Sequence, residues 1–365
     1  PDYFGTKPRA AGIVFTIFAS RDTLARSLAA GEINVALNLY PDQAAILEKE
    51  ANVSVFRFSA NGFTQLSANS WENPASKGHP ASRDARVRQA MEFAMDKKEI
   101  LAVAMGGAGT VGSTLIPEST PEWHLALPAA ELRGYDPAAA KALLEKAGYV
   151  DRNRDGVLED AAGRALDFRF LLRADNIREV KAGQMIQAYL QAVGIATRIS
   201  TVDDGVLQDA IDTADYDLFI WGWGGDVDPT TILAILTTGQ IGSLNEPRWS
   251  NPAYDEAVRR QATILDPKER RVVVEQAQRL AYEGAPYIIL FYDGDVQAVR
   301  NDMVIGLAQV SGGPLFYANT NVNYIRAAPA AAAEAPARRR PALIAAAVAF
   351  AAAAAALAFR LRRKA

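Results

Sequence analysis

Apolar runs and amphipathic stretches alternate along most of this chain, and that alternation sets the expected elements. Residues 13–18, "IVFTIF", have the β-branched and aromatic content of a strand. A short helix from Asp22 to Ala30 is stopped by Gly31, and "INVALNL" reads as a second strand, so the three predict a βαβ unit. Strand-like "VSVFRFS" and "GFTQLSANS" follow. After a Pro/Gly/Ser-rich loop at 70–83, "SRDARVRQAMEFAMDKKEILAVAMGG" reads as one long amphipathic helix, capped by Ser82 or Asp84 and stopped by Gly106 and Gly107. "GYDPAAAKALLEKAGY" is a second helix, with Asp136 as N-cap, Pro137 at the first helical position and Gly148 as the stop. Strand "LDFRFLL", a helix over about 177–192 and strand "ATRIST" come next. After the strand ending at "FIWGWGG", helices are expected over about 251–265 and 266–284, then strand "YIILFYD". The order predicts an α/β fold with helices covering the faces of a sheet.

Composition narrows the chemistry. The 365 residues suffice for two lobes, the formal charge is −3, and the body of the chain has no basic-aromatic patch, so no nucleic-acid partner is implied. With no cysteine, disulfides, thiolate metal sites and cysteine nucleophiles are excluded. The two histidines, His79 and His124, lie in loop-like sequence and read as surface residues. The chain opens at Pro1 without an initiator Met or a signal-peptide pattern, and reads as a fragment entering in the middle of a fold.

From Ala327 the pattern changes. Residues 327–340 form an Ala/Pro linker, and Pro341–Phe359 is uncharged and flanked by arginines. Nineteen residues at about 1.5 Å each span roughly 28 Å, near a bilayer core. The segment shows no polar face, so a transmembrane helix is expected, although twelve of its residues are alanine. The basic tail 360–365 would then lie in the cytoplasm, with the folded part outside.

The stretch "FIWGWGGDVDPTTIL" at 219–233 raises a question: it closes a turn or forms one wall of a ligand site. Trp221 and Trp223 are two apart on a strand and face the same side, toward a core or a ligand. Gly224 and Gly225 admit close approach of a ligand. Asp228 precedes Pro229 and reads as a helix N-cap, which leaves Asp226 without structural employment. In "DRNRDGVLED", Asp151, Asn153 and Asp155 occupy alternating positions of a calcium-loop pattern, with Gly156 at the turn; the twelfth position is Ala162, so either calcium or a plain Asx-rich turn is expected, and no other cofactor.

Several stretches occur together in one order: "PDYFGTKPRAAGIVFTIF", "RDARVRQAMEFAMDKKEIL", "YDPAAAKALLEKAGY", "DRNRDGVLEDAAGRAL", "DYDLFIWGWGGDVDP", "WSNPAYDEAV" and "EGAPYIILFYDGDVQAVR". Together they resemble the family 5 solute-binding proteins of ABC importers, which include dipeptide- and oligopeptide-binding proteins. The resemblance implies a type II periplasmic-binding-protein fold, two lobes with a hinge, N-terminally truncated. Residues 1–66 and 298–326 would belong to the first lobe, and 67–297 would form the second. Trp223 and Asp226 match the family's tryptophan–aspartate pair that grips a peptide's α-ammonium, and Asn69 matches an asparagine at the lobe crossover. The implied partners are a peptide or other small-molecule ligand, an ABC permease with its ATPase, and the membrane through the C-terminal helix. The implied location is the periplasm or cell surface. A sugar, opine or metal complex as ligand, a membrane-tethered sensor, and a glycosidase using Asp226 and Asp228 are the competing expectations.

Overall fold

In a computed structural model of the protein, the described residues are 10, 12–225 and 227–306, with the backbone of 326–327. The elements in order are α1 (Arg21–Ala30), β1 (Val35–Ala36), α2 (Pro41–Leu47), β2 (Val53–Ala68), α3 (Ala85–Ala94), α4 (Lys97–Ala104), β3 (Gly109–Val111), α5 (Pro137–Lys146), β4 (Asp167–Arg173), α6 (Ile177–Ala192) and β5 (Ala196–Val202). They continue with α7 (Asp204–Asp212), β6 (Leu218–Gly224), α8 (Pro229–Ala234), α9 (Pro252–Gln261), α10 (Pro267–Gly284), β7 (Tyr287–Arg300), β8 (Val304–Ile305) and β9 (Arg326–Ala327).

Local chemistry explains most helix boundaries. Asp136, Asn251 and Asp266 each stand before a proline at the first helical position and accept backbone N–H bonds from the first turn. The expected long helix is instead two. Met95 is extended (φ −103°, ψ 128°), and Asp96 accepts from the amides of Lys98 and Glu99, both at 3.0 Å, starting α4 afresh. A buried ion cluster braces the break. Glu92 binds Lys97 at 2.9 Å and Arg133 at 2.6 Å, and Lys97 Nζ also donates to the carbonyls of Gly112 and Ile289.

The main sheet runs β1-β7-β2-β6-β4-β5, with β3 also on β7. β4, β5 and β6 are parallel, joined by crossovers as the pattern predicts, while β1, β2, β3, β6 and β7 pair antiparallel. One face carries Leu66, Leu218, Ile220, Ile288 and Phe170 against α3, α4, α5 and α6. The other carries Phe63, Tyr287, Ile289 and Tyr292 against α8, α9 and α10. On that second face, Phe219 and Trp221 pack on α7.

β2 and β7 run on past these layers. Their far halves join β1, α1 and α2 around a separate small core of Leu24, Leu28, Leu39, Leu47, Val53, Val296 and Ala298. Between the two halves the ladder breaks: Ser59 pairs with Gly294 and Phe63 with Tyr292, so Ala60, Asn61 and Gly62 stand opposite the single residue Asp293. The backbone is crowded there. A Cβ on Gly294 would meet Gly109 N at 2.5 Å, and Gly109 has φ +117°.

Two further expectations are corrected. Residues 13–18 form no strand, and Val14 and Ile17 are exposed, so the N-terminal βαβ unit is absent; β1 is only two residues and pairs antiparallel with β7. β-branched content marks residues that suit a sheet but supplies no neighbouring strand. The expected fold class also carried a C-terminal transmembrane helix. Residues 341–359 lie outside the described residues, and among the described residues no helix is long and apolar enough to cross a membrane. Among the described residues the fold class therefore stands as α/β, and anchoring through a C-terminal helix is withdrawn as partner and location. The expectation rested on length and lack of charge, whereas alanine, twelve of those nineteen residues, adds little transfer energy.

Candidate functional site

β2 and β6 pair in unbroken register from Ala68↔Leu218 to Gly62↔Gly224, and the candidate site lies at the latter end. The Gly225 amide donates to the carbonyl of Asn61, and a Cβ on Gly225 would collide with that oxygen. A Cβ on Gly62 would meet Trp223 O at 2.9 Å and Asp293 Oδ2 at 3.0 Å, whereas Gly224 faces open space. Glycine at 62 and 225 thus lets the strand ends close, and at 224 it leaves backbone accessible. Ser119 pins the adjacent bulge, donating to Asn61 Oδ1 at 2.8 Å and approaching Ala60 O at 3.1 Å.

Behind this edge lies a chain of polar groups. Trp223 Nε1–H donates to Tyr287 Oη at 3.2 Å, and Tyr287 Oη–H donates to Glu246 Oε2 at 2.9 Å. The backbone carbonyl of Glu246 accepts from Tyr216 Oη. Tyr216, Tyr287 and Glu246 are all buried. Burial raises the Glu246 carboxyl to about 7, against the pull of its bonded neighbours. Asp293, at the strand bulge, is likewise raised by burial, to about 6, and accepts from Thr64 Oγ1 at 2.9 Å.

The chain belongs to family 5 of the bacterial extracellular solute-binding proteins.

Residues 1–243 match that family, described as its middle part. The oligopeptide-binding protein AppA of Bacillus subtilis is 25% identical over 309 residues, covering 83% of this chain and 54% of that protein. A solved structure of AppA with a nonapeptide superposes with a TM-score of 0.71 at 22% identity, over 86% of this chain and 60% of AppA. NikZ from Campylobacter jejuni, in complex with Ni(L-His), gives 0.67 at 21% identity, over 84% of this chain and 59% of NikZ. The chain thus spans about half the length of the curated relatives it matches, and the structural likeness establishes the fold.

Within this family 5 chain the expected site residues separate into groups. Trp221, Trp223, Gly224 and Gly225 stand together at the strand end, and Asp226 lies outside the described residues. Trp221 packs on Leu207 and Ile211 side chains of α7 and lies under the Arg173 guanidinium, 4.5 Å from its ring centre; Trp223 packs against the second face. Asn69 sits at the opposite end of the β2–β6 ladder, past seven residue pairs, or about 23 Å. It is buried, and its amide donates to the carbonyls of Ala214 at 3.1 Å and Tyr216 at 3.0 Å. Near that end a groove of about 540 Å³ is lined by Trp71, Arg88 and Arg248, among others. Two of its cations serve the fold: Arg88 caps the end of α10 through Gly284 and Ala285, and Arg248 holds the carbonyls of Ile211 and Asp212.

Asp228 is the expected N-cap. It accepts from Thr230 N at 2.9 Å, and a two-pronged bond from Arg270, at 2.8 and 2.9 Å, holds its carboxyl well below the usual carboxylate range. In the calcium-like loop, Asp151 accepts from the amides of Arg154 and Gly156, Asn153 from that of Asp155, and Asp155 from that of Val157. Among the described residues no group of three or more His, Cys, Asp or Glu is placed to hold a metal ion.

The sequence reading missed Glu246, Tyr287, Asn61 and Ser119. Glu246 carried one signal, an acid between Asn245 and Pro247 beside the aromatic Trp249. No spacing tied it to Trp223.

Proposed function

We propose that this chain is the ligand-capturing component of an ABC importer, taking di- or oligopeptides outside the cytoplasmic membrane and passing them to a permease with its ATPase. The observation that carries the reading is the strand end: a tryptophan, accessible glycine backbone, and Asp226 next in the chain. Open backbone there pairs with an extended ligand, and a carboxylate meets its ammonium, which loses water on capture and needs a charged, hydrogen-bonded partner. The name of the relative AppA as an oligopeptide-binding protein supports the same class.

Capture rather than catalysis is also the reading we propose for the acids. Asp228 is committed to Thr230 and Arg270, so a carboxylate pair with Asp226 loses its second member. The bulge of Ala60–Gly62 against Asp293 is where we place the junction between lobes, a few residues earlier in β2 and β7 than the pattern suggested. Closure about that junction would present the liganded shape to the permease.

The test is a thermal-shift series on the chain with di- to pentapeptides, free and N-acetylated, beside sugars and nickel–histidine. A free peptide at about 100 times its Kd stabilises by about 2.7 kcal/mol. Acetylation or Asp226→Ala should each remove about 2–5 kcal/mol of binding, the cost of leaving a buried charge unpaired. Affinity unchanged by either alteration overturns the ammonium-anchor reading. A response only to sugars or nickel–histidine overturns the peptide class.

A further inference from the structure

We propose that Glu246 is a positioning residue for Trp223: acting through the Tyr287 hydroxyl, it fixes the indole in the site wall and couples the hold on that indole to ambient pH. Trp223 ends β6, Tyr287 begins β7, and Glu246 lies in the segment between α8 and α9. Three separate pieces of chain therefore meet through two hydrogen bonds, 3.2 Å and 2.9 Å long, running in one direction from indole to hydroxyl to carboxyl. An indole on a strand would otherwise turn about its side-chain torsions; a fixed acceptor removes that freedom.

The carboxyl is poorly placed to be a simple ion pair. Tyr287 faces it from β7, and Tyr216 reaches its backbone carbonyl from the turn before β6. Arg248, two residues on, acts on Tyr216, as does Asp217, and the Arg248 guanidinium turns to the Ile211 and Asp212 carbonyls and stacks on Trp71. Within the influences felt by Glu246 itself there is burial, Tyr287 and Trp223, and no cation. Its proton is therefore exchanged near neutrality, about 7, rather than in acid. When Glu246 carries charge, the bond from Tyr287 becomes charge-assisted, and the tyrosine oxygen in turn is a stronger acceptor for the indole N–H. When Glu246 is protonated, both bonds weaken. Charge on Glu246 also adds negative potential behind the wall where a ligand cation is expected.

The ligand part of this inference rests on the reading of Trp223 as site wall; the indole part does not. Emission is measured on the full chain from pH 5.5 to 8.5, and the same scan of Trp223→Phe isolates the Trp223 contribution from the other four tryptophans. A Trp223 signal titrating with a midpoint near 7, lost in Glu246→Gln and lost in Tyr287→Phe, is the expected result. A signal that titrates unchanged in both variants, or no titrating Trp223 signal in the parent, overturns the proposal. Tyr287→Phe removes one oxygen only and carries the test should Glu246→Gln lose its fold. For a free-amino peptide, Glu246→Gln should raise Kd roughly fivefold at pH 8, and add nothing further in a Trp223→Phe background. Additive losses in that cycle overturn the positioning role, while absence of peptide binding leaves the emission result to decide it.

Discussion

The two faces of the main sheet are built from the same strands yet differ in kind. On the face toward α3–α6, the sheet contributes Leu66, Phe170, Leu218, Ile220 and Ile288, and the buried charges there, Glu92 and Lys97, come from the helices and are paired. On the face toward α7–α10, the same stretch of β2 turns Gln65 and Ser67 inward, and β6 and β7 add Trp221, Trp223, Tyr287 and Tyr292. Alternation along a strand sorts "TQLSA" into an oily row and a polar row in one step. The oily row has a single state. The polar row has protons and hydroxyl groups whose arrangement can change, and it is the row that reaches the candidate site. Permanence and responsiveness are thus divided between the two sides of one strand.

The largest effect should come from breaking the oily face. Phe170→Ala empties the volume of a fully buried ring and is expected to cost about 3–5 kcal/mol in denaturant unfolding, with peptide affinity at saturation of the folded state unchanged. A loss under 1 kcal/mol would mean the two faces do not differ in packing quality.

Next in size is the pH dependence of the polar face. Glu246 has an ordinary carboxyl value of 4.5 when unfolded and about 7 when folded, so the native state holds the extra proton. That contribution is fully present below pH 4.5 and is lost as pH rises to about 7, then stays flat. At 1.36 kcal/mol per unit the loss is of order 3 kcal/mol. Urea titrations of the parent against Glu246→Gln should diverge across this window and run parallel above it. Curves parallel throughout would place the ionisation elsewhere.

The smallest effect sharpens the comparison most. Gln65 is fully buried, and neither atom of its amide has a hydrogen-bond partner. Gln65→Met keeps the length and removes the unmet groups, and should stabilise by about 1 kcal/mol in the same titration. Destabilisation would show that the amide is satisfied by buried water, making the polar face wetter still.

How much of this could be read in advance follows from range. The helix starts at Asp136, Asp228, Asn251 and Asp266 are legible because an acid or amide followed by proline acts within one turn. The strand end at Trp223–Gly225 is legible for the same local reason. Residues 13–18 misled because a strand is defined by its neighbour, and Met95–Asp96 because a capping aspartate inside an amphipathic run interrupts a periodicity that otherwise continues. The Trp223–Tyr287–Glu246 chain was illegible: its members are 23 and 41 residues apart from Glu246, and their meeting depends on the register of three separate segments. Asn69, which the resemblance sets at a lobe crossover, stands past the other end of the β2–β6 ladder from Trp223, bonded to the carbonyls of Ala214 and Tyr216.

The long ladder between β2 and β7 also sets the order in which this molecule is made. β2 is complete at Ala68, but its partners begin only at Leu218 and Tyr287. At roughly 5–20 residues per second of synthesis, β2 waits about 8–30 s with both edges bare until β6 is made, and about 12–46 s until β7 is. Its sixteen residues, half of them bound for an oily face, are in that interval a sticky template for other chains. A central strand made well before either of its partners stays unpaired until they arrive, which makes the nascent form a natural client for holding factors.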